Sequence, residues 1–230
     1  MKTTIDNIQI AYEDNHIIIV NKRAGDIVQG DKTGDTPLSD LLKMYIKVKF
    51  NKPGNVFLGV IHRLDRPTSG LVSFARTSKG LTRMTELFKN REISKTYWAI
   101  VKNKPEKDKD TLIHYLKKNP KNNKSTAFDT EKPDTKKAIL HYKLIASSET
   151  YHLLEINLET GRHHQIRAQL AKIGSPIKGD LKYGFSRSNK NAGISLHARQ
   201  IAFIHPIKKE TVSVIAPTPS DDIWDFFDIK

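Results

Sequence analysis

His62-Arg63-Leu64-Asp65-Arg66-Pro67-Thr68-Ser69-Gly70 sets one carboxylate between two arginines, closes on a turn and runs into the apolar stretch Leu71-Val72-Ser73-Phe74-Ala75. That order reads as a loop delivering a single acid, followed by the strand that anchors it. A carboxylate with cations within about 4–6 Å has its pKa lowered, so Asp65 is expected to be ionised at neutral pH. An ionised acid in basic surroundings can serve as nucleophile or base on an anionic substrate. Taken alone, an arginine-flanked aspartate is more simply a surface ion pair of small energetic value. The rest of the chain has to decide.

Upstream of the loop, Val56 to Ile61 lead in as a strand after the turn Asn51-Lys52-Pro53-Gly54. Before that turn, Leu38, Leu41, Leu42 and Tyr45 recur at helical spacing, with Thr36 as cap and Pro37 as first helical residue. Gln9 to Tyr12 and His16 to Asn21 read as strands. Downstream, Ser78 caps a short helix whose Leu81, Met84, Leu87 and Phe88 share a face. The strand Ser94 to Val101 puts Tyr97 and Trp98 on opposite sides. Residues 102 to 137 are lysine-rich and interrupted by Pro105, Pro120 and Pro133. Leu112 to Leu116 and Thr126 to Phe128 keep strand character, which favours strand connections over a linker. Ile139 to Ile145 and Tyr151 to Leu158 pair as strands. A glycine turn at Thr160-Gly161 opens a helix with Ile166, Leu170 and Ile173 on one face and Gly174 just past its end. Ser195 to Ile204 and Thr211 to Ile215 are the last strands. Asp221 to Ile229 forms an amphipathic tail that docks on the core. Many strands and few helices, not in alternation, predict an α+β fold: one domain over residues 1–230 with a mixed, mostly antiparallel central sheet flanked by a few helices and loops.

The 230 residues carry 39 Lys and Arg against 25 Asp and Glu, a net charge of +14, which makes a polyanion the expected partner. With no cysteine, disulfides and thiolate-bound zinc are excluded. Neither a signal peptide nor a spanning helix is legible, so a cytoplasmic protein is expected.

Phosphate-binding and dinucleotide-binding glycine loops are missing, so nucleotide chemistry lacks support. His163-His164 with His62, Asp65 and Asp180 invites a metal reading, but adjacent histidines on a helix point about 100° apart and rarely share one ion. His197 and His205, in apolar strands, read as core or edge histidines. The helix opening at Gly161 offers an anion site strengthened by Arg162 and Arg167. Tyr97 reads either as a core aromatic or as a surface for stacking a base.

With these residues in view, the chain resembles the RluA-type family of RNA pseudouridine synthases from about Ile17 to Ile215. His62-Arg63-Leu64-Asp65 with Thr68-Ser69-Gly70-Leu71 is similar to its central motif, and Lys95-x-Tyr97-x-Ala99-x-Val101 to its second. Thr160-Gly161-Arg162-x-His164-Gln165-Ile166-Arg167 is similar to its third, continued by Gly174-x-Pro176-Ile177-x-Gly179-Asp180-x-x-Tyr183-Gly184 and Leu196-His197-Ala198. The resemblance implies isomerisation of uridine within rRNA or tRNA, with no metal and no organic cofactor. It implies Asp65 as the essential acid, Arg167 as the cation that pairs with and orients it, and Tyr97 as the ring against the target base. His62, Arg63, Arg66, Thr68, Arg162, His164 and Gln165 are the residues expected to hold RNA. In such a reaction the aspartate either attacks C1′ or removes the 2′ proton. A base in folded RNA must first be flipped out, at a cost of a few kcal/mol. Family members commonly have proline at Arg23, a His-Pro pair near Gln29-Gly30, an apolar residue at Ser73 and histidine at Gln169. Many also begin with a small S4 RNA-binding domain, which this chain is expected to lack. A monomer is expected. The competing readings are a non-catalytic, basic, ribosome-associated RNA-binding protein and a metal-dependent phosphodiesterase.

Overall fold

The computed structural model describes residues 2–227. In chain order the elements are β1 (Ile10–Glu13), β2 (Ile17–Lys22), α1 (Leu38–Lys49), β3 (Gly59–Val60), β4 (Ser69–Ala75) and α2 (Ser78–Asn90). Next come β5 (Ser94–Val101), β6 (Lys109–Asn119), β7 (Lys124–Phe128), β8 (Lys136–Ser147) and β9 (His152–Leu158). α3 (Gln165–Lys172), a 3-10 turn at Leu181–Tyr183, β10 (Leu196–Ile204), β11 (Thr211–Ile215) and α4 (Asp222–Phe226) complete the chain. This is the expected α+β class with mostly antiparallel pairing. The elements fall into two compact units: the chain up to Ser94 with Ala198–Pro219, and Lys95–His197 with the chain from Ser220 onward.

In the first unit, β2 pairs with β1 and β4, β3 pairs with β4, and β10 pairs with β11. β2 reads as an unbroken apolar run because both of its faces are covered. Ile17 and Ile19 pack with Leu71, Met84 and Phe203, whereas Ile18 and Val20 pack with Val72, Phe74, Leu38 and Leu42. Full burial of each such side chain contributes about 1.5–3 kcal/mol. α1 starts one residue later than predicted, at Leu38. Its first amides are taken by main chain, Leu38 N–H to the Ile27 carbonyl at 2.8 Å and Ser39 N–H to that of Val28 at 3.1 Å, so Thr36 is not needed as a cap. α2 is capped by Thr77, whose hydroxyl accepts the Gly80 amide at 3.0 Å; Ser78 is its first residue instead. The strand predicted over Val56 to Ile61 is reduced to Gly59–Val60.

In the second unit the strand order is β5-β9-β8-β6-β7, antiparallel throughout. The lysine-rich stretch forms the β6–β7 hairpin, as its residual strand pattern suggested. α3 lies on Leu116 and Ala138 through Ala168 and Ala171. Its end is a Schellman motif: Ser175 N–H reaches the Leu170 carbonyl at 2.9 Å, Gly174 N–H reaches that of Ala171 at 3.1 Å, and Gly174 has φ +79°. The tail does dock, with Trp224 and Phe227 packing on Trp98, Ile100 and Leu153; residues 228–230 lie outside the described residues. Among the described residues no helix is long and apolar enough to cross a membrane.

Candidate active site

The acid loop leaves the sheet of the first unit at Val60, the last residue of β3 paired with β4. The next contact to β4 is made by a side chain, with His62 Nε2 accepting the Ser73 amide at 3.1 Å while its ring lies 4.6 Å from that of Phe88. Leu64 packs on the cluster of Val20, Val72 and Phe74. Asp65-Arg66-Pro67-Thr68 is then a turn closed by Thr68 N–H to the Asp65 carbonyl at 3.0 Å. Thr68 is buried, and its hydroxyl makes no hydrogen bond among the described residues. Arg63 is exposed. Arg66 pairs with Asp35.

The nearby cation overlooked in the sequence is Lys22, at the end of β2. It is 1% exposed, and its ammonium donates to three main-chain carbonyls: Arg23 at 2.9 Å, Asp26 at 2.9 Å and Arg66 at 3.1 Å. Burial pushes its pKa down to about 8, against the opposing fields of the Asp26 and Asp65 carboxylates. Gly25 N–H also donates to the Arg66 carbonyl, at 2.8 Å. The Arg66–Pro67 peptide, one residue beyond Asp65, is therefore fixed from two directions. A lysine ending an apolar strand was the available signal.

In the second unit, Tyr97 is nearly buried on β5, opposite Ile156 of β9. Arg162 and His164 precede α3, and Gln165 opens it, because the helix starts at Gln165 and not at Gly161. The Gln165 side chain accepts from the Arg162 amide at 2.9 Å and the Thr160 hydroxyl at 2.8 Å, and it donates to the Ile139 carbonyl at 3.0 Å. His164 has φ +51°, which stacks its ring on His163 at 3.8 Å, unlike the helical divergence assumed from sequence. His164 Nδ1 meets the Tyr183 hydroxyl at 3.0 Å, and that hydroxyl accepts the Ser125 amide at 2.8 Å. Arg162 Nε donates to the Lys137 carbonyl at 3.0 Å. These residues knit the turn that delivers Arg167.

Arg167 is gripped by Asp180, which is 1% exposed: Nε reaches Oδ2 at 2.7 Å and a terminal nitrogen reaches Oδ1 at 2.8 Å. The Tyr183 ring lies 5.0 Å from the guanidinium carbon. A two-pronged pair of this kind fixes the plane of the guanidinium as well as its charge. Nothing in the local spacing of the sequence ties Asp180 to Arg167. On β5, burial lowers the pKa of Lys95, whose ammonium borders the Gly161 turn; a Cβ at Gly161 would lie 3.8 Å from it. His205 is fully buried, as expected of a core histidine, with Nδ1 accepting the Ile207 and Lys208 amides at 3.2 and 2.9 Å.

Solved structures share the fold. Human RNA Pseudouridylate Synthase Domain Containing 4 superposes with a TM-score of 0.76 at 23% identity, over 92% of this chain and 89% of its own. Human RNA Pseudouridylate Synthase Domain Containing 1 gives 0.76 at 22%, over 95% and 86%. Sequence comparison supplies the family. The model described as RNA pseudouridylate synthase matches residues 16–172. The uncharacterized RNA pseudouridine synthase YhcT of Bacillus subtilis is 32% identical over 93% of this chain and 70% of its own length. Ribosomal large subunit pseudouridine synthase D of Zymomonas mobilis is also 32% identical, over 93% and 70%. tRNA pseudouridine synthase C of Vibrio vulnificus is 30% identical over 94% of this chain and 92% of its own. The chain belongs to the RNA pseudouridine synthase family, a family of isomerases.

Proposed function

We propose that this protein converts uridine to pseudouridine in rRNA or tRNA with Asp65 as its acid, Arg167 as the cation that orients that acid, and Tyr97 as the ring against the base. The observation that carries the reading is the family match over residues 16–172, a span that contains all three. In the reaction the N1–C1′ bond breaks, the base turns in place, C5 bonds to C1′, and the C5 proton leaves as N1 takes one up. Atoms and charge balance without an external reactant. Two local arrangements support the assignment. The Arg66–Pro67 peptide, one residue beyond Asp65, is clamped by Lys22 and Gly25, and the guanidinium of Arg167 is locked by Asp180. Fixed charges of this kind need no reorganisation during the reaction.

The acid loop adds Arg63 as the exposed cation for opened RNA. The net charge of +14 supplies the phosphate attraction that offsets base flipping. The reading carries a monomer made of one catalytic domain, working in the cytoplasm where rRNA and tRNA are matured. Release of tritium from RNA labelled at uridine C5, in the presence of a chelator, is the test. The wild type releases label; Asp65→Asn does not, yet keeps RNA affinity within a few-fold. Release by Asp65→Asn, or loss of its binding in parallel, would overturn the assignment.

A further inference from the structure

The sheet of the second unit has two unlike faces. One carries Tyr97, Ile156 and Leu140. The other starts with Trp98, Ile100 and Leu153, covered by Trp224 and Phe227 of the C-terminal helix. Toward the β6–β7 edge this second face is open. Tyr115 stands directly opposite Phe128 on one side and Lys137 on the other, and Ile113 stands opposite Ile139 one step along. Ile113 is 48% exposed, and both rings are only partly covered. Lysines frame the rings: Lys132 Nζ sits 4.5 Å from the Phe128 ring centre, and Lys117 follows Tyr115 on the same face.

We propose that this open face binds an unpaired RNA segment outside the reacting uridine, with Tyr115 and Phe128 stacking bases and Lys117, Lys132 and Lys137 holding phosphates. The proposal rests on the reading of this protein as an enzyme of RNA. A pair of aromatic rings on neighbouring strands, interleaved with cations, is the arrangement by which sheets bind single strands, since every base has a face to stack. Lys137 forms no ion pair among the described residues. Lys117 is paired with Asp134 at 3.1 Å, but both side chains are exposed, so a phosphate can displace the carboxylate at little cost. The same lysines oppose a second copy of the chain as occupant, because a two-fold interface would bring like charges together.

The test uses the full chain and a fluorescein-labelled oligouridylate of about twelve nucleotides, read by anisotropy at several salt concentrations. Tyr115→Leu with Phe128→Leu keeps apolar bulk and removes both rings; affinity is expected to fall about ten-fold or more. Lys117→Gln with Lys137→Gln is expected to make the salt slope shallower by about two. The lysine variant decides the matter if the leucine variant proves unstable. Wild-type affinity and slope in the folded variants, or no oligouridylate binding by wild type at low salt, overturns the proposal. So does a competing acidic peptide that binds the face while oligouridylate does not. The isomerase reading is judged separately, on tritium release by the wild type. A protein that releases none, yet loses oligouridylate on ring removal, keeps this site and loses that activity.

Discussion

His62 and Ser73 are joined by a hydrogen bond in which a ring nitrogen takes the place of a sheet carbonyl. Main-chain pairing of β3 with β4 stops at Val60 and Phe74, and the next amide of β4, that of Ser73, donates to His62 Nε2 at 3.1 Å. The bond requires the ring proton to sit on Nδ1. The chain can thus leave the sheet at Val60, five residues before Asp65, without orphaning the Ser73 amide. This gives His62 a positioning task, whatever contact it makes with RNA.

Replacing His62 by leucine keeps the packing on Phe88 and removes the acceptor. Stability is expected to fall by about 1–3 kcal/mol, the cost of an unsatisfied buried amide. kcat for tritium release should fall more than KM rises, because the acid loop loses its anchor. The urea midpoint and steady-state kinetics check this; an unshifted midpoint would deny His62 the anchoring role.

Asp180→Asn leaves the Arg167 guanidinium buried with one of its two bonds to residue 180 weakened and without that carboxylate's charge. Removing a partner from a buried pair costs about 3–5 kcal/mol, and asparagine should lose a substantial part of that. Denaturant unfolding measures the loss. Activity should drop even where the variant is fully folded, since the plane of the guanidinium is no longer set. Wild-type tritium release by a folded Asp180→Asn would show that Arg167 needs no such support.

Gly70 and Gly174 both have positive φ, +110° and +79°, yet they should respond differently to alanine. At Gly174 a Cβ meets nothing within 4 Å, so Gly174→Ala should cost about 1 kcal/mol for the backbone conformation alone. At Gly70 a Cβ would lie 2.4 Å from the main-chain N and O of Ala198, and neither can swing aside. Gly70→Ala should cost more than about 3 kcal/mol or fail to accumulate. Equal midpoints for the two variants would contradict the close approach.

Acid should destabilise the protein in two stages, the first at His205 and the second at Asp14. His205 Nε2 lies 2.9 Å from Asp14 Oδ2, with Lys208 Nζ at 3.2 Å and the Tyr12 hydroxyl at 3.0 Å from the same oxygen. Burial lowers the His205 pKa below its ordinary 6.5, against the opposing pull of Asp14. The unfolded chain therefore binds this proton first, and the contribution present above 6.5 is lost as the pH falls below it. Burial alone would raise the Asp14 carboxyl. The amides of His16 and Ile17, with Lys208 and Tyr12, outweigh it and hold the group at about 2, so its contribution, present above 3.8, is lost between 3.8 and about 2. Urea unfolding from about pH 7 down to about pH 2 should show stability declining with acid, and Asp14→Asn should flatten the lower part. A pH-independent midpoint would exclude this pair as the cause.

Periodicity and strand composition sufficed for the strand Ser94 to Val101, for Thr211 to Ile215 and for the C-terminal contact of Trp224, because each buries a face whose pattern is local. The end of α3 was equally legible from Gly174. Its start was not: Gly161 looked like the helix opening, whereas the left-handed turn at His164 and the side chain of Gln165 postpone it, and both are consequences of tertiary contacts with Ile139 and Tyr183. For the same reason α1 dispenses with a polar cap, its amides being met by Ile27 and Val28. The acid loop could be picked out from its own residues, but its supports could not. Lys22 and Asp180 act from 43 and 13 positions away from Asp65 and Arg167, and nothing in local spacing links them.

The grip of Lys22 has a consequence for how this chain can vary. All three of its acceptors are peptide oxygens, belonging to Arg23, Asp26 and Arg66. The hydrogen bonds of the ammonium therefore follow the route of the backbone, whichever side chains project from it. A proline in place of Arg23 would offer the same carbonyl. Side chains around the acid can change without breaking these three bonds, so the path that carries Asp65 depends on the lysine more than on its neighbours' side chains.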